Sequence, residues 1–470
     1  MNFILLYSFL CLANYSFCQF NFRSQNIDLQ SNINPHKDSV LNYAIAYSGC
    51  WGWSQEKKNK EYAIVCSVNG TYFVDVTNPK QPKVCDYVKS KYHSMWREAK
   101  TYKNYCYIVS EAANGLQIID LSYLPDSVKI VNNNNLNYLY SSHTIWVDGN
   151  KLYCSSLRLN SSYNSGVGLG VFSLTNPEQP VFLRGTKTDL NYISPHDSFS
   201  RHDTIFASSN GIQVIFYDSL QNKFLPLGSY SGYPQQGYSH SSSLTQNGKY
   251  LVFCDEVPSG LPINIVDVSN FENIQPCSTF NPCEYTTPHN PYVLGNNIAI
   301  VSCYEDGVYI YDISNPYKVS EVGFFDTYPQ EGCYEEFYNG SYNGNWGAYP
   351  YLPSKTLLAL DRTNGLFCLD ATNAYSSKAN TETPSQQTYT ECAIVYTIPA
   401  SEYVVIKAKK QNNVVISLSS IDGKFLFKQN FNENVTEKIN TSLLQTGTYI
   451  LSVRGDECSM IKKILITHFD

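Results

Sequence analysis

Four of the eight histidines share one sequence context, and imidazole can bind metal ions or carry protons near neutral pH. Each precedes a short apolar run: His143 in SHTIWV, His196 in PHDSF, His240 in SHSSSL and His289 in PHNPYV. Neutral imidazoles in one place would bind a metal ion or an anion. Nearby carboxylates would then serve as acid, base or further ligand, namely Glu98, Asp197, Asp255 and Glu256.

Tryptophans occupy the corresponding place in other parts of the chain, in WGW, in WRE and in NWGAYP. If all these positions converge, they form one ligand-binding face. Its candidate residues are Trp53, Trp96, Arg97, Glu98, His143, His196, Asp197, His240, His289 and Trp346. The sequence assigns no catalytic residue among them, and it leaves a bound metal or cofactor undetermined.

A structural role explains the same histidines. Each ring could use one nitrogen to tie its loop to a neighbouring repeat, and a repeat protein would copy such a fastening. Recurrence at equivalent positions favours fastening for single histidines, because active sites usually break the symmetry of a repeat. A binding surface formed by the whole face is the competing interpretation.

The elements that carry these residues come from an internal repeat. The run GVYIYDISNP recurs with variation, and its seven copies begin at Gly70, Gly115, Gly168, Gly211, Pro262, Gly307 and Gly365. Positions aligned with Asp312 are 43 to 58 residues apart. Each copy has two apolar runs before it and one after it, separated by Gly and Asn turns. Each unit is therefore predicted to be a four-stranded antiparallel sheet.

Repeats of four strands and about 40 to 50 residues are typical of β-propellers. The predicted fold class is therefore all-β, with a seven-bladed β-propeller over residues 40–370. The first strand of each blade lines the central channel, which would bring the histidines together. The run from Val40 to Ser48 is predicted to complete the last blade and close the ring. The repeated Asp is predicted to accept backbone N–H groups of the following turn.

Composition agrees with this fold class. The chain has 39 Tyr and 23 Phe but 3 Met, which suits sheets better than helices. Its formal net charge is −7, and no basic block follows a phosphate backbone, so nucleic acid is not an expected partner.

The first residues read as an export signal. An apolar run from Phe3 to Ala13 is followed by small residues at Ser16 and Cys18, which predicts a signal peptide over residues 1–18 and a lead-in over residues 19–39. The apolar run is short for a membrane span, so no transmembrane segment is expected in the mature chain.

The cysteines are expected to be mostly buried thiols, with one candidate disulfide. Cys277 and Cys283 are the candidates for a local disulfide. A further six cysteines lie in apolar runs and are expected as free buried thiols: Cys66, Cys106, Cys154, Cys254, Cys303 and Cys368.

The ordered motifs resemble one known family. WGW, WRE, SHTI, PHD, SHSSSLTQNGKYLVFCDE, PHNPYVLGNN and EVGFFDTYP, with the VxVxDVSxP-like strands, resemble the LVIVD repeats of the choice-of-anchor B family over about Asn42 to Asp370. The resemblance implies an exported bacterial propeller joined to a variable C-terminal anchor. It implies no established enzymatic activity.

A second module follows a polar linker over residues 371–390. Residues 391–470 alternate strand-like runs with turns at Asp422-Gly423 and Thr446-Gly447, which predicts a small C-terminal β-sandwich. The module resembles the C-terminal sorting domain of the type IX secretion system of Bacteroidota, with Lys462-Lys463 as its terminal basic pair. A generic sandwich that binds carbohydrate or stabilises the propeller is the alternative.

These features predict a protein that is secreted or held at the outer cell surface. Its expected role is binding or scaffolding, with a protein or glycan of the cell surface as partner and the secretion machinery as partner of the tail. The alternative is a metal-dependent hydrolase or lyase that uses the His-lined face. A purely structural envelope component is a third interpretation.

Overall fold

The chain forms two compact units, Met1–Lys378 and Ala379–Asp470. The structure, a computed structural model, describes residues 22–36, 45–132, 139–162, 166–190, 193–333 and 342–376 of the first unit, and of the second the strands given below with residues 441–445. The predicted signal peptide and most of the predicted linker lie outside the described residues.

Strands dominate the first unit. In chain order they are β1 (Ser24–Gln25), β2 (Asp28–Ile33), β3 (Tyr47–Gln55), β4 (Lys60–Ser67), β5 (Gly70–Asp75), β6 (Lys83–Lys89), β7 (Arg97–Tyr102), β8 (Tyr105–Ser110), β9 (Gln117–Asp120), β10 (Lys129–Asn132), β11 (Ile145–Asp148), β12 (Lys151–Arg158), β13 (Gly166–Ser173), β14 (Val181–Gly185), β15 (Asp197–Arg201), β16 (Thr204–Ser209), β17 (Gly211–Asp218), β18 (Lys223–Tyr230), β19 (Tyr238–Leu244), β20 (Tyr250–Val257), β21 (Ile263–Asp267), β22 (Gln275–Phe280), β23 (Pro291–Leu294), β24 (Ile298–Ser302), β25 (Val308–Asp312), β26 (Ser320–Phe325), β27 (Asn345–Tyr349), β28 (Thr356–Asp361) and β29 (Gly365–Asp370).

Helical structure in the described residues is limited to single turns. One α-helix, α1, covers Thr372–Ser376, and 3-10 turns cover Glu56–Lys58, Thr186–Thr188 and Phe271–Asn273.

The strands of the first unit form antiparallel sheets of the propeller type. The described residues contain seven: sheet 1 (β3–β6), sheet 2 (β7–β10), sheet 3 (β11–β14), sheet 4 (β15–β18), sheet 5 (β19–β22), sheet 6 (β23–β26 with β1) and sheet 7 (β27–β29 with β2). From sheet 1 to sheet 6, the first strand of each sheet contacts the first strand of the next. Sheet 6 contacts sheet 7 through β24 and β27, and β27 in turn contacts β3 of sheet 1. The first strands therefore surround a central channel, as predicted for a β-propeller.

Apolar side chains of adjacent sheets share cores, which explains why a single sheet could not stand alone. Between sheets 1 and 2, for example, Trp53 and Ile64 pack with Ile108 and Ile119. These side chains are buried on the faces between sheets, where the strands read as nearly continuous apolar runs.

All seven copies of the repeated motif form third strands, as the pattern indicated. The Asp at the end of such a strand accepts the backbone N–H of the residue two positions later, at 2.9 Å for Asp75 and Thr77 and at 2.8 Å for Asp312 and Ser314. The same contact joins Asp370 to Thr372 at 3.0 Å. The structural interpretation of this Asp is confirmed.

The strand that closes the ring is not the one predicted. The closing strand is β2, which pairs antiparallel with β29 from Asp28 opposite Asp370 to Ile33 opposite Leu366. Of the predicted segment, residues 40–44 lie outside the described residues, while Tyr47 and Ser48 begin β3. The run DLQSNI of β2 is polar because β2 is an outer strand with exposed or half-buried side chains, and apolar periodicity therefore gave no signal.

The disulfide also differs from the prediction. Cys283 pairs with Cys333, 50 residues away, and joins the loop after β22 to the loop after β26. Cys277 is unpaired and half-buried. The spacing of Cys277 and Cys283 suggested a local bridge, but Cys277 lies within β22. The six cysteines expected as free buried thiols are confirmed as such.

The second unit consists of two antiparallel sheets that share one core. Its strands are β30 (Ala393–Thr397), β31 (Tyr403–Ala408), β32 (Val414–Ser420), β33 (Phe425–Phe431), β34 (Thr436–Asn440), β35 (Gly447–Gly455) and β36 (Cys458–Ile466). The sheet orders are β30-β31-β34 and β33-β32-β35-β36. Val404 and Ile406 of the first sheet pack with Ile416 and Leu451 of the second, as in a β-sandwich. The predicted turn at Asp422-Gly423 lies outside the described residues.

Within the described part of the chain, no helix has the length and apolar character needed to span a membrane.

Candidate functional site

The four histidines of the repeated context form a continuous row, here called the histidine row: His143, His196, His240 and His289. Ring centroids of consecutive members are 3.9, 4.3 and 4.1 Å apart. Each residue lies just before the first strand of its sheet or near its start, in sheets 3 to 6. The predicted meeting of four histidines is therefore present in the structure.

Three members of the row use Nδ1 to contact a neighbouring sheet. His143 Nδ1 lies 2.5 Å from Glu111 Oε1 of sheet 2, and His196 Nδ1 lies 2.9 Å from the Tyr238 hydroxyl of sheet 5. His289 Nδ1 donates to the Trp346 carbonyl of sheet 7 at 2.6 Å. The fastening interpretation thus accounts for one nitrogen in each of these three rings.

Sheets 7 and 2 continue the circle with other residue types. The Trp346 ring packs against His289 with centroids 4.5 Å apart, and its Nε1 donates to Glu98 Oε1 at 3.3 Å. Glu98 also forms an ion pair with Lys100 at 3.0 Å. Three of the histidines, His143, His240 and His289, line a cavity of about 30 Å³ together with Trp346 and this ion pair. The cavity is large enough for a water molecule or two.

Farther along the inner strands, aromatic side chains narrow the channel. Trp51 packs against Trp146 with centroids 6.0 Å apart and against Tyr349 at 4.7 Å. The Lys100 ammonium lies 4.4 Å from the Trp51 ring centroid, a cation–π geometry. A ligand would therefore approach the histidine row from the end of the channel where the inner strands begin.

Burial keeps the deeper part of the row uncharged. It lowers the pKa of His289 well below its ordinary value, and the neighbouring His240 adds to the effect. It also lowers the pKa of His240 and His196, although Glu256 and Asp197 oppose the shift at His240. These rings present lone pairs, which is the form that binds metal ions.

Glu256 faces the row from the second strand of sheet 5. Its Oε2 lies 3.9 Å from His240 Nε2, and its Oε1 lies 3.9 Å from His289 Nε2. The Tyr304 hydroxyl donates to Oε1 at 2.6 Å. Ligand atoms of His196, His240 and Glu256 all lie within 4.8 Å of one another.

Asp197 and Asp255, the other carboxylates considered for this chemistry, have different partners. Asp197 accepts from the Thr144 hydroxyl at 2.6 Å on the channel wall, and burial raises the pKa of its carboxyl. Asp255 accepts from the Tyr233 hydroxyl at 2.8 Å and from the Gly237 N–H at 2.9 Å.

Three predicted site residues do not reach the row. Trp53 packs in the core between sheets 1 and 2, and its Nε1 donates to the Lys103 carbonyl at 2.9 Å. Because β3 begins at Tyr47, Trp53 lies six residues into the strand, roughly 20 Å from its start. The WGW motif is thus inside the inner strand and not ahead of it.

Arg97 and Trp96 flank the start of β7. Arg97 is fully buried and donates to the Ser67 carbonyl at 3.1 Å and to Ser90 Oγ at 2.9 Å, which joins sheet 2 to sheet 1. Trp96 is 38% exposed and lies on the surface. Of the predicted WRE motif, only Glu98 lines the cavity.

The residues that sequence reasoning missed are Lys100, Trp146 and Tyr304, and of the WGW motif it selected Trp53 in place of Trp51. Lys100, Trp51 and Trp146 belong to inner strands, so counting from the strand starts with the correct registers would have found them. Tyr304 lies in the loop between β24 and β25, where the repeat gave no indication of orientation.

Exposed aromatic side chains lie before or at the starts of first strands, here called the aromatic rim: Trp96 before β7, Tyr238 at the start of β19 and Tyr342 before β27, which are 38 to 48% exposed. Tyr238 contacts His196, and the Tyr342 ring packs edge-on against Tyr304, which packs against His289. Exposed aromatic rings near a polar cavity are typical of surfaces that bind glycans or proteins.

A comparison with protein families decides the character of the second unit. Residues 394–467 match the family described as "Secretion system C-terminal sorting domain". The tail is a secretion sorting domain. Such a sorting domain marks proteins that the type IX system secretes to the cell surface or the extracellular space, and it implies contact with that secretion machinery.

The chain is similar to several solved structures at low identity, one of them described as a beta propeller. The WD40 beta propeller domain of Doa1 is 10% identical with a TM-score of 0.47, covering 74% of this chain and 97% of that one. The N-terminal domain of Nup159 is 11% identical with a TM-score of 0.43, covering 74% and 95%. Kuenenia stuttgartiensis hydrazine synthase is 10% identical with a TM-score of 0.46, covering 72% and 98%. No curated protein matches this chain.

Proposed function

We propose that this protein is an exported binding or scaffold module of the choice-of-anchor B type, held at the outer cell surface. A seven-bladed propeller presents the binding face, and the sorting domain delivers it. The observation that carries the proposal is the aromatic rim around the entrance to a polar cavity. The partner is a glycan or a protein of the cell surface.

The rim has the composition of a recognition surface. Aromatic rings cover the apolar faces of sugar rings or of partner side chains, and the Tyr hydroxyl adds hydrogen bonds. The carboxylate of Glu111, 45% exposed beside His143, supplies an acceptor for a partner's hydroxyl groups. A cavity of about 30 Å³ admits only a small group from such a partner.

The test compares rim variants with matched exposed aromatics. Purified full-length chain is titrated against surface polysaccharide and against outer-membrane proteins of the source bacterium. We expect saturable binding to one fraction, weakened at least tenfold by Trp96→Ala with Tyr238→Ala. Controls are Tyr123→Ala and Tyr317→Ala, exposed residues after third strands. Since strands alternate in direction, these controls lie at the other end of the channel.

Two outcomes contradict the proposal. One is a folded protein that binds neither fraction. The other is a loss of binding in the control pair as large as the loss in the rim pair, which would locate the contact elsewhere.

A metal-dependent hydrolase or lyase is the second candidate, favoured by the proximity of His196, His240 and Glu256. Its test is the release of reducing ends, or of unsaturated sugars, from the same polysaccharide with added divalent ions. Turnover that Glu256→Gln abolishes would favour the enzyme over the binding module.

A further inference from the structure

We propose that Glu256, His196 and His240 bind a divalent transition-metal ion, with Nε2 of His289 as the fourth donor. Zn²⁺ is the ion that such a set of imidazole nitrogens and one carboxylate suits. The inference does not depend on the proposed binding function, since a metal could be structural in a binding module or reactive in an enzyme.

The tautomer of His289 supplies the first argument. Its Nδ1 donates to the Trp346 carbonyl, which can only accept, so in the neutral ring Nε2 carries a lone pair and no proton. His289 is fully buried, and among the described residues Nε2 has no hydrogen-bond partner. A bound cation would give this buried acceptor a partner and remove the cost of leaving it unsatisfied.

The position of Glu256 supplies the second argument. Its two carboxylate oxygens face His240 Nε2 and His289 Nε2 at 3.9 Å each, which is too long for hydrogen bonds. Ligand atoms at 2.0–2.1 Å from a tetrahedral ion lie roughly 3.3 Å apart. Side-chain shifts of the order of 1 Å would therefore bring the donors of His196, His240 and Glu256, all within 4.8 Å of one another, onto one ion. Nε2 of His289 lies outside this cluster, 3.9 Å from Glu256 Oε1, and would move farther to become the fourth donor.

Outer contacts hold the donors as they do in many metal sites. The Trp346 carbonyl orients His289, the Tyr238 hydroxyl contacts Nδ1 of His196, and the Tyr304 hydroxyl holds Glu256. Such partners fix the ring orientation and raise the basicity of the ligands. At His289 the contact with the neighbouring sheet thus uses Nδ1 and leaves Nε2 for a metal.

Charge near the site permits a cation. Carboxylates of Glu98, Glu111, Asp197 and Glu256 lie near members of the row or their neighbours. The opposing cations are Lys100, paired with Glu98, and Arg362, whose guanidinium lies 4.9 Å from the Trp346 ring centroid.

The experiment uses tag-free full-length protein from which metal has been removed with a chelator. This protein is titrated with ZnCl₂, and the heat of binding is measured by calorimetry. We expect one ion per chain to bind at the row and to raise the melting temperature. Glu256→Gln keeps the shape and the contact with Tyr304, while His289→Asn keeps a donor for the Trp346 carbonyl. Each should weaken the binding of this ion at least about tenfold. The spectrum of bound Co²⁺ should report a four-coordinate site.

The matched control is His93→Asn with His202→Asn, two exposed histidines that are not members of the row. It should bind the ion as the parent protein does. The proposal is overturned if the folded parent protein binds no ion at a ZnCl₂ concentration on the order of 100 µM, which is comparable to the dissociation constant of a weak site. It is equally overturned if the control loses the ion, or if both row variants keep it while their metal-free melting temperatures match the parent's.

Discussion

At the scale of residues, the histidine row combines two kinds of contact in the same rings. Nδ1 of His143, His196 and His289 joins neighbouring sheets, while Nε2 of His289 points at Glu256. At His289 fastening and ligand binding are therefore compatible, since they use different nitrogens.

Acid should destabilise the propeller through these rings. Burial lowers the pKa of His289, so the folded chain leaves it neutral while the unfolded chain binds a proton as pH falls below about 6.5. The unfolded state is then favoured by about 1.4 kcal/mol at pH 5.5 for this residue. His289→Asn should remove that share of the loss between pH 7.5 and 5.5, measured by urea unfolding with a chelator present.

Buried carboxyl groups have the opposite effect on the pH dependence of the free energy of unfolding. The contribution of His289 is therefore obtained by comparing its variant with the parent protein. Burial raises the pKa of Glu321 to about 7 and that of Asp361 to about 6, and these groups favour the folded state as pH falls. Exposed His202→Asn is the control and should leave the pH dependence as it is. An identical pH dependence in the His289 variant would show that this ring is protonated in the folded chain.

At the scale of elements, the amino-terminal segment joins two sheets. β1 pairs with β26 of sheet 6, and β2 pairs with β29 of sheet 7. Between them Ile27 is 1% exposed and packs in the core shared by these sheets. This segment therefore connects sheets 6 and 7, in addition to completing sheet 7 with a fourth strand.

Ile27→Ala should lower the free energy of unfolding by about 2–5 kcal/mol, the usual range for a buried Ile. Leu29→Ala, in β2 but 42% exposed, should change it by no more than about 0.5 kcal/mol. Denaturant unfolding of both variants measures the difference. Equal effects would mean that the segment contributes pairing and no core.

Loss of the disulfide should cost stability as well. Opening a loop of 50 residues between Cys283 and Cys333 removes about 4 kcal/mol on the chain-entropy account. Cys283→Ser with Cys333→Ser should therefore unfold at clearly lower denaturant, and Cys277→Ser should not. A large effect of Cys277→Ser would instead support the local bridge predicted from spacing.

The sequence predicted elements well where apolar alternation and turn residues agree, as in β5 and β25 with their Asn-Pro turns. It failed at β2, whose polar side chains hide a strand that only long-range pairing defines. At the site it located the histidines because each stands near the start of an inner strand. It misplaced Trp53, because the start of β3 cannot be read from YSGCWGW. It did not predict the contact of Tyr304 with Glu256, because that contact joins a loop of sheet 6 to the end of a strand of sheet 5.

At the scale of the whole molecule, folding and delivery belong to separate units. The division at residue 378 and the separate core of the sorting domain indicate that the propeller does not need the tail to fold. A chain truncated after Lys378 should melt within a few degrees of the parent's propeller transition.

The truncated chain should nevertheless fail to reach the cell surface. Expressed in a bacterium with a type IX system, it should remain in the periplasmic fraction, while the full chain appears on the surface or in the medium. Surface exposure of the truncated chain, judged by protease accessibility in intact cells, would contradict the assignment of delivery to residues 394–467.

Ring closure by β2 also means that β2 is synthesised long before its partner strand. Asp28 pairs with Asp370, which is 342 residues later in the chain. At 5–20 residues per second, synthesis of that stretch takes roughly 20 to 70 s. Throughout that interval the last sheet cannot be completed, and an apolar waiting strand would be prone to pair with other chains. The polar run DLQSNI is poorly suited to such pairing, so the property that hid this strand from sequence analysis protects the nascent chain from aggregation.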